Sequence, residues 1–275
     1  MSTLDVATAT PATANTPKVW RDSMTMLRRN LRHSLRYPGM SAWTIVQPVM
    51  FLVLFGVIFG EALGAGVGSG GRAAYITYIT PAILAMTVAI GSMMTAVSVA
   101  MDMTEGIIAR FRTMAIARSS VLTGHVLGSL VLNLISLVLV LAFAFAIGYR
   151  TDGGPAGVLG AFALLAAVAY ALTWLGVALG LGSKTVEGAS NVILPVMLLP
   201  FLGSGFVPVD TMPVGIRWFA EYQPFTPINE TVRSLLEGTT VDGSSLGLAL
   251  GWTLVIGVGG YLWSRKLYGR DAVRR

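Results

Sequence analysis

Two glycine-rich segments have residue types and spacings that bind phosphate in other proteins. The segment Gly66-Val67-Gly68-Ser69-Gly70-Gly71 satisfies the G-x-G-x-x-G pattern of dinucleotide-binding loops. The segment Gly180-Leu181-Gly182-Ser183-Lys184-Thr185 is close to a nucleotide phosphate loop, but Ser183 stands where that loop has Gly directly before Lys. Both follow apolar segments rather than strands. We interpret the first as a flexible outer loop, and the second as a helix C-terminus where Gly182 helps the chain turn and Lys184 lies near lipid phosphate.

Side chains for other catalytic chemistry are scarce. The chain has no cysteine, which excludes disulfides, thiolate metal sites and cysteine nucleophiles, and its only histidines are His33 and His125. No metal site is therefore expected. The apolar segments contain Gln47 and Asn133 but no general base, so a membrane-embedded enzyme is disfavoured.

The composition indicates which elements hold these residues. Hydrophobic residues make up 54% of the 275 residues and charged residues only 12%, against about 25% charged in a typical soluble domain. Most of the chain must therefore face a bilayer. The net charge of +6 is concentrated near the two ends of the sequence, which indicates membrane anchoring and not nucleic-acid binding.

Six segments are long and apolar enough to be predicted as transmembrane helices, since a span needs about twenty apolar residues. None contains Lys, Arg, Asp, Glu or His; the segments are 41–60, 79–101, 126–148, 158–182, 191–209 and 246–263. The fold class predicted is an all-α integral membrane protein. Ion-coupled transport is disfavoured, because such carriers place ionisable side chains near the midplane.

The distribution of basic residues predicts the orientation of these segments. With loops assigned alternately to two sides, 15 Lys and Arg residues fall on one side and 4 on the other. Positive residues collect on the cytoplasmic side. Both termini are therefore expected to be cytoplasmic, with the protein in the plasma membrane.

The region before the first apolar segment divides into two parts. Residues 1–17 are rich in Thr, Ala and Pro and are expected to be a disordered leader. Residues 18–37 are predicted to form an interfacial helix, with Trp20 on its apolar stripe and Arg28 and Arg32 on the adjoining flank. Packing of this helix on a soluble partner fits the same pattern.

A segment between the second and third apolar segments has the features of a docking helix. Ile107, Phe111 and Met114 are spaced as one face of a short helix, with Arg110 and Arg112 beside them. An aromatic residue and a Met flanked by Arg suit insertion into a partner's groove. A connector resting on the headgroups is the alternative.

Two parts of the chain together resemble the permeases of type-2 ABC transporters. The run from Glu105 to Arg112 resembles the intracellular coupling helix of that family. The stretches Pro200–Pro213 and Ala220–Arg233, with Pro-Phe-Thr-Pro-Ile-Asn-Glu-Thr at 224–231, are similar to the daunorubicin-resistance-type exporter permeases. The order of these Pro and Gly residues, six spans and a long fifth outer loop extend the resemblance over residues 18–275.

The resemblance implies one half of an ATP-driven exporter of a hydrophobic or amphipathic compound. Two copies, or this chain and a related permease, would pair with cytoplasmic ABC ATPase subunits; ATP and Mg would bind there, and no cofactor would bind this chain. Short outer helices before the last span would dip into the outer leaflet. A non-ABC channel or an assembly factor is the alternative function.

The resemblance also assigns roles to individual residues. The predicted ATPase-coupling residues are Glu105, Arg110, Phe111, Arg112 and Met114. The predicted substrate path is formed by Met86, Met93, Met94, Phe201, Gly203, Gly205 and Phe206, although each of them fits ordinary helix packing as well. The predicted structural signature residues are Pro208, Pro213, Pro224, Pro227 and Arg233.

Overall fold

The computed structural model describes residues 38–64, 71–105 and 118–270, and all regular structure in these ranges is helical. A π-helix at Leu52–Ile58 directly follows the first helix, and 3-10 turns at Leu199–Leu202 and Val209–Thr211 follow the sixth. The α-helices are α1 (Pro38–Phe51), α2 (Gly60–Gly64), α3 (Gly71–Thr104), α4 (Arg118–Ala146), α5 (Gly154–Gly182), α6 (Val186–Leu198), α7 (Val214–Tyr222), α8 (Phe225–Glu237) and α9 (Gly243–Arg270). The interfacial helix predicted at 18–37 lies outside the described residues.

Four of the described helices are long and apolar enough to cross a membrane. They contain the segments Gly71–Thr104, Leu122–Ala146, Gly154–Gly182 and Gly243–Gly269. The first and fifth predicted spans correspond to the shorter apolar helices Trp43–Ile58 and Val186–Leu202. The fifth ends at Leu202 and not at the predicted residue 209, because Pro195 and Pro200 remove backbone donors near its end.

The helix α3 is the centre of the bundle and α9 lies at its edge. Of the most apolar window of α3, 83% is buried, whereas the corresponding window of α9 is 11% buried. A helix that is apolar on all sides but exposed over most of its surface is suited to contact with lipid. The exposed apolar residues of α9 therefore form a surface that suits contact with lipid.

Small residues let the central helices approach closely. A Cβ added at Gly180 of α5 would lie 2.5 Å from the carbonyl oxygen of Ala96 in α3. A Cβ at Gly260 of α9 would lie 2.6 Å from the backbone nitrogen of Leu175 in α5. Close backbone packing at small residues is the usual way in which membrane helices associate.

A short seam of polar side chains crosses the middle of the bundle between α3, α4 and α5. Asn133 Nδ2 of α4 donates to Ser92 Oγ of α3 over 3.5 Å, and Ser92 Oγ donates to Ala169 O of α5 over 3.2 Å. A Cβ at Gly91 would lie 2.3 Å from Asn133 Oδ1. The seam joins three helices through hydrogen bonds in an apolar interior.

The bundle has two distinct ends. We call the end where α6 stops and α9 begins the α7–α8 end, and the opposite end, with the connection between α3 and α4, the α3–α4 end. At the α3–α4 end, α5 stops at Gly182 as predicted, and the Thr185 hydroxyl caps α6 by accepting from Gly188 N over 3.0 Å. The segment that resembles a phosphate loop is thus a helix end followed by a helix cap.

Candidate functional site

Four phenylalanines form a cluster at the α7–α8 end, where α1 meets the chain that follows α6. Phe51 and Phe55 come from α1 and its π-helix, and Phe201 and Phe206 come from the break after α6. The ring centroids of Phe201 and Phe206 are 4.9 Å apart, those of Phe55 and Phe206 5.3 Å, and those of Phe51 and Phe201 5.5 Å. We call these four residues the aromatic cluster.

Both chain segments that form the aromatic cluster depart from α-helical geometry. Directly after α1 the π-helix begins at Leu52, between Phe51 and Phe55, and π-helical turns occur frequently at functional sites. After α6 the 3-10 turn ends at Leu202, and Gly203 adopts an extended conformation. This break lets Phe201 and Phe206, five residues apart, stack on each other. The predicted path residues Phe201 and Phe206 are thus in direct contact.

The three predicted methionines lie on α3, away from the surface of the bundle. Met86 and Met93 are 1% and 0% exposed and belong to the same core as Phe206, and Met94 is partly buried against that core. Flexible methionine side chains fill irregular gaps in a core. Their role in a substrate path stays a prediction.

Hydrogen bonds from α3 and α8 hold the broken segment that carries Phe206. The Tyr75 hydroxyl donates to Phe206 O over 3.2 Å, and the Tyr78 hydroxyl donates to Ser204 O over 2.7 Å. Arg233 Nη2 also donates to Ser204 O, over 3.1 Å. The backbone of residues 204–206 therefore has side-chain donors in place of the helical bonds that it lacks.

The two predicted path glycines are points of close approach. A Cβ at Gly203 would lie 2.3 Å from Gln223 Nε2, and a Cβ at Gly205 would lie 2.7 Å from the Cβ of Ala82. The same atom at Gly205 would lie 2.9 Å from Asn229 Nδ2. Glycine is needed here for space, because neither residue has a positive φ.

Several polar atoms beside the broken segment are buried without a hydrogen-bond partner in the described part of the chain. They are Asn229 Nδ2 and Oδ1, Ser204 Oγ and Arg233 Nε. Asn229 is 0% exposed and contacts the Gly205 position on one side. Buried polar atoms are rarely left unpaired, so this group of atoms beside the broken segment is a candidate for polar recognition.

The charges on α8 surround Arg233. Arg233 Nη1 donates to Glu230 Oε1 over 3.1 Å, in a pair whose side chains are 12% and 40% exposed. Burial raises the pKa of Glu237 above its usual range, and the nearby Arg233 opposes that rise. Arg233 is thus held by an acidic neighbour while its other nitrogen holds the broken segment.

The predicted signature prolines lie at the ends of the short helices. Pro208 precedes the 3-10 turn at Val209–Thr211, Pro213 precedes α7 and Pro224 precedes α8. Pro227 is buried in the first turn of α8, where a missing backbone donor costs no helical bond. The two short helices predicted from the sequence are therefore present, separated at Gln223 and Pro224.

Most of the predicted coupling segment lies outside the described residues, including Arg110, Phe111, Arg112 and Met114. Glu105 is exposed just after α3, and its backbone nitrogen donates to Met101 O over 2.9 Å. The flanking helices are joined beside it, because His125 Nε2 lies 3.1 Å from Asp102 Oδ2, with both side chains largely buried. This pair was not predicted from the sequence, since the predicted spans 79–101 and 126–148 end one residue short of Asp102 and His125.

Sequence analysis also missed Phe51, Phe55, Tyr75 and Tyr78. The four-residue spacing of Phe51, Phe55 and Phe59 was the available signal for a helix with one aromatic face. No sequence pattern indicated that this face would meet the break after α6. The contact depends on how the helices pack.

The long apolar helices are those of a multi-pass membrane protein. Its residues 22–236 match the family model of the ABC-2 type transporter. The chain therefore belongs to the ABC-2 type transporter family, whose subunits are the membrane components of their transporters and not the ATPases. It is 26% identical over 241 residues to the daunorubicin resistance ABC transporter permease protein DrrB1 of Streptomyces coeruleorubidus, covering 85% of this chain and 78% of that protein.

Proposed function

We propose that this chain is the permease subunit of an ATP-driven exporter that moves a hydrophobic or amphipathic compound out of the cell. The observation that carries the proposal is the aromatic cluster at the break after α6, in a chain of the ABC-2 type transporter family. Stacked aromatic rings offer a large apolar contact for a planar or lipid-like cargo. The unpaired polar atoms of Asn229 and Ser204 would orient such a cargo.

In the proposed arrangement the chain crosses the plasma membrane six times, with both termini in the cytoplasm. The shorter apolar helices Trp43–Ile58 and Val186–Leu202 would be the first and fifth spans. Single cysteines in this cysteine-free chain test the orientation. Glu187→Cys, at the α3–α4 end, should be protected from an impermeant thiol reagent in intact cells, and Thr240→Cys, at the α7–α8 end, should react.

Energy would come from a separate cytoplasmic ABC ATPase, which would bind ATP and Mg. The segment from Glu105 to Met114 would dock on that ATPase, and a second copy or a related permease would complete the path. ATP binding would bring the ATPases together, and the helix bundles would rock to open the path outward. Alanine at Phe111 and Arg112 should then abolish co-purification of the ATPase, whereas retained co-purification and export would refute this docking assignment.

Cargo-stimulated ATP hydrolysis tests the proposed path. Daunorubicin is the first probe, since the similar permease is named for resistance to it. In proteoliposomes that contain the chain and its ATPase, Phe206→Ala should reduce daunorubicin stimulation at least several-fold while basal hydrolysis persists. The matched control is Leu202→Ala, in the same segment but 44% exposed and outside the cluster.

The outcome of this test is decisive when folding is checked separately. Phe206→Leu keeps most of the buried volume but removes the ring. The variant chain should therefore fold well and still lose the stimulation of ATP hydrolysis by daunorubicin. If Phe206→Leu and Leu202→Ala respond to the probe as the parent chain does, the aromatic cluster is not part of the path.

A further inference from the structure

A groove of about 440 Å³ lies on the side of the bundle formed by α5, α6 and α9, under α7. Its walls include Leu172 and Leu175 of α5, Val196 of α6 and Ile256 of α9. Trp218 and Trp252 also line it. The volume lies within the range of about 300–1,000 Å³ that small-molecule sites occupy. It does not include the aromatic cluster.

The lining of the groove is almost entirely apolar, and the polar groups of Gln223 and Trp252 in it are already bonded. Gln223 Oε1 accepts from Phe225 N over 3.0 Å, and Gln223 Nε2 donates to Thr226 Oγ1 over 3.2 Å. Trp252 Nε1 donates to Tyr222 O over 2.9 Å. An occupant is therefore selected by apolar contact and not by hydrogen bonds from these groups.

The surface around the groove is apolar and exposed, which suits contact with lipid. Leu194 and Leu198 of α6 are 52% and 57% exposed, and Leu254 and Val255 of α9 are 66% and 62% exposed. Trp252 and Ile256 lie about 14 and 20 Å along α9 from its start at Gly243, at 1.5 Å per residue. With α9 as a membrane span, a groove at this position would reach into the hydrocarbon core, which is about 30 Å thick.

The aromatic residues of α7 lie at the rim of the groove. Trp218 is 70% exposed and Tyr222 is 52% exposed, and their ring centroids are 6.0 Å apart. On the same helix Arg217 donates from Nε to Glu221 Oε1 over 2.8 Å. Trp and Tyr beside charged groups are typical of the boundary between headgroups and acyl chains.

We propose that this groove is a binding site for one acyl chain of a membrane phospholipid. The chain would enter between α6 and α9 below the rim, with its headgroup near α7, and pack on Val196, Leu199 and Ile256. The apolar walls offer water few hydrogen-bond partners, and a surrounding bilayer would supply acyl chains at high local concentration. The bound chain would support α7 and the Trp252–Tyr222 hydrogen bond from below.

Quenching of tryptophan fluorescence by brominated phospholipid tests the proposal without ATP, ATPase or cargo. The probe is phosphatidylcholine brominated in the middle of its acyl chains, titrated into the purified full-length chain in detergent. The chain has six tryptophans; one version keeps Trp252 and another keeps Trp263, with the other five changed to Phe. Trp263 lies on the same helix, is 43% exposed and does not line the groove.

We expect quenching of Trp252 to saturate near one lipid per chain, whereas quenching of Trp263 rises without saturation. Val196→Phe in the Trp252 version fills the groove and should weaken the saturable phase at least tenfold. Val192→Phe, one turn earlier on α6 and 48% exposed outside the groove, should leave it unchanged. Leu175→Phe fills the groove from the α5 wall and repeats the test if Val196→Phe fails to elute as a folded protein.

Three results would overturn the proposal. In the first, the quenching of Trp252 follows the same titration curve as that of Trp263. In the second, the saturable quenching phase persists in both Val196→Phe and Leu175→Phe. In the third, Val192→Phe weakens the saturable phase as much as Val196→Phe does. A groove covered by a second copy of the chain would give the first of these results. Because no step uses transport, the proposed export function can fail while this site stands, and the reverse also holds.

Discussion

The guanidinium carbon of Arg233 lies 4.0 Å from the centroid of the Tyr78 ring. The same guanidinium donates through Nη2 to the carbonyl oxygens of Tyr78 and Ser204, over 3.3 and 3.1 Å. The Arg233 side chain of α8 thus contacts both the ring and the backbone oxygen of Tyr78 in α3. It also contacts the backbone oxygen of Ser204 in the broken segment after α6. Arg233 fixes the segment that presents Phe206 relative to the centre of the bundle.

Arg233→Lys should therefore disturb the break after α6 although it keeps the charge. A lysine ammonium lacks the planar fork that reaches Glu230, Tyr78 and Ser204 together. Each hydrogen bond to a charged group contributes about 1.5–3 kcal/mol, so the loss of one or two should lower the thermal midpoint of the purified chain measurably. The stimulation of ATP hydrolysis by daunorubicin in the reconstituted complex should fall together with the thermal midpoint.

Arg217→Lys is the control for this substitution. Arg217 pairs with Asp210 and Glu221, but its side chain is 43% exposed and the Asp210 side chain is 85% exposed. Exposed ion pairs contribute about 0–1 kcal/mol, so the thermal midpoint of the Arg217→Lys chain should stay close to that of the parent chain. Equal effects of the two substitutions would show that Arg233 has no special positioning role.

Gly205→Ala should loosen the contact between the broken segment and α3. The new Cβ would lie 2.7 Å from the Cβ of Ala82 and 2.9 Å from Asn229 Nδ2. Overpacking of this kind typically costs about 1–3 kcal/mol, and a lower thermal midpoint measures it. Gly251→Ala is the matched change in α9, where nothing lies within 4 Å, and it should be neutral or stabilising because Ala favours helix. A Gly205→Ala chain as stable as Gly251→Ala would contradict the close contact.

The parts of the fold that depend on local chemistry were predictable from the sequence. The ends of α7 and α8 follow from Pro213, Pro224 and the glycine at 238, which has a φ of 69°. The apolar runs indicated the positions of the long helices, because an apolar segment in lipid must satisfy its own backbone hydrogen bonds and therefore forms a helix. Their ends were less predictable, since α3 extends beyond the span 79–101 in both directions to Gly71 and Thr104.

The candidate site was predictable only in part, because its contacts join residues far apart in the chain. Phe201 and Phe206 were predicted from the resemblance, and they stack as neighbours in one segment. Tyr75 bonds a backbone oxygen 131 residues away at Phe206, and no local pattern encodes such a contact. Asn229 belongs to the motif at residues 224–231, but the motif indicates no role for it, since its burial depends on the packing of α8 against Gly205.

The start of α9 predicts a measurable response to acid. Asp242 Oδ2 accepts from Ser245 N over 2.9 Å and from the hydroxyls of Ser244 and Ser245. These hydrogen bonds, with that of Ser244 foremost, lower the pKa of Asp242 to about 2 from an ordinary 3.8. Because the pKa is lowered in the folded state, the stabilisation is present above pH 4 and is lost as the pH falls toward 2.

Thermal midpoints of Asp242→Ala and the parent chain measure this contribution. Asp242→Ala should have the lower midpoint between pH 5 and pH 7, and the difference should shrink below pH 4. Asp242→Asn keeps a helix cap that does not titrate, so its midpoint should lie between the two at neutral pH. A difference between parent and Asp242→Ala that does not change from pH 7 to pH 2.5 would show that the carboxylate does not contribute.

The Asp102–His125 pair predicts that α3 and α4 move together when the segment between them moves. The pair lies beside the predicted docking segment, and its side chains are 14% and 9% exposed, so water screens it weakly.

Asp102→Asn should leave basal ATP hydrolysis and ATPase co-purification intact but reduce the stimulation of ATP hydrolysis by daunorubicin. His125→Asn should do the same, and the double variant should be no worse than either single one, because contacting residues are not additive. Ser98→Ala, one turn earlier in α3 at an exposed position, should behave as the parent. Additive losses in the double variant would mean that the two residues act separately, and the pair would not be the link between the docking segment and the bundle.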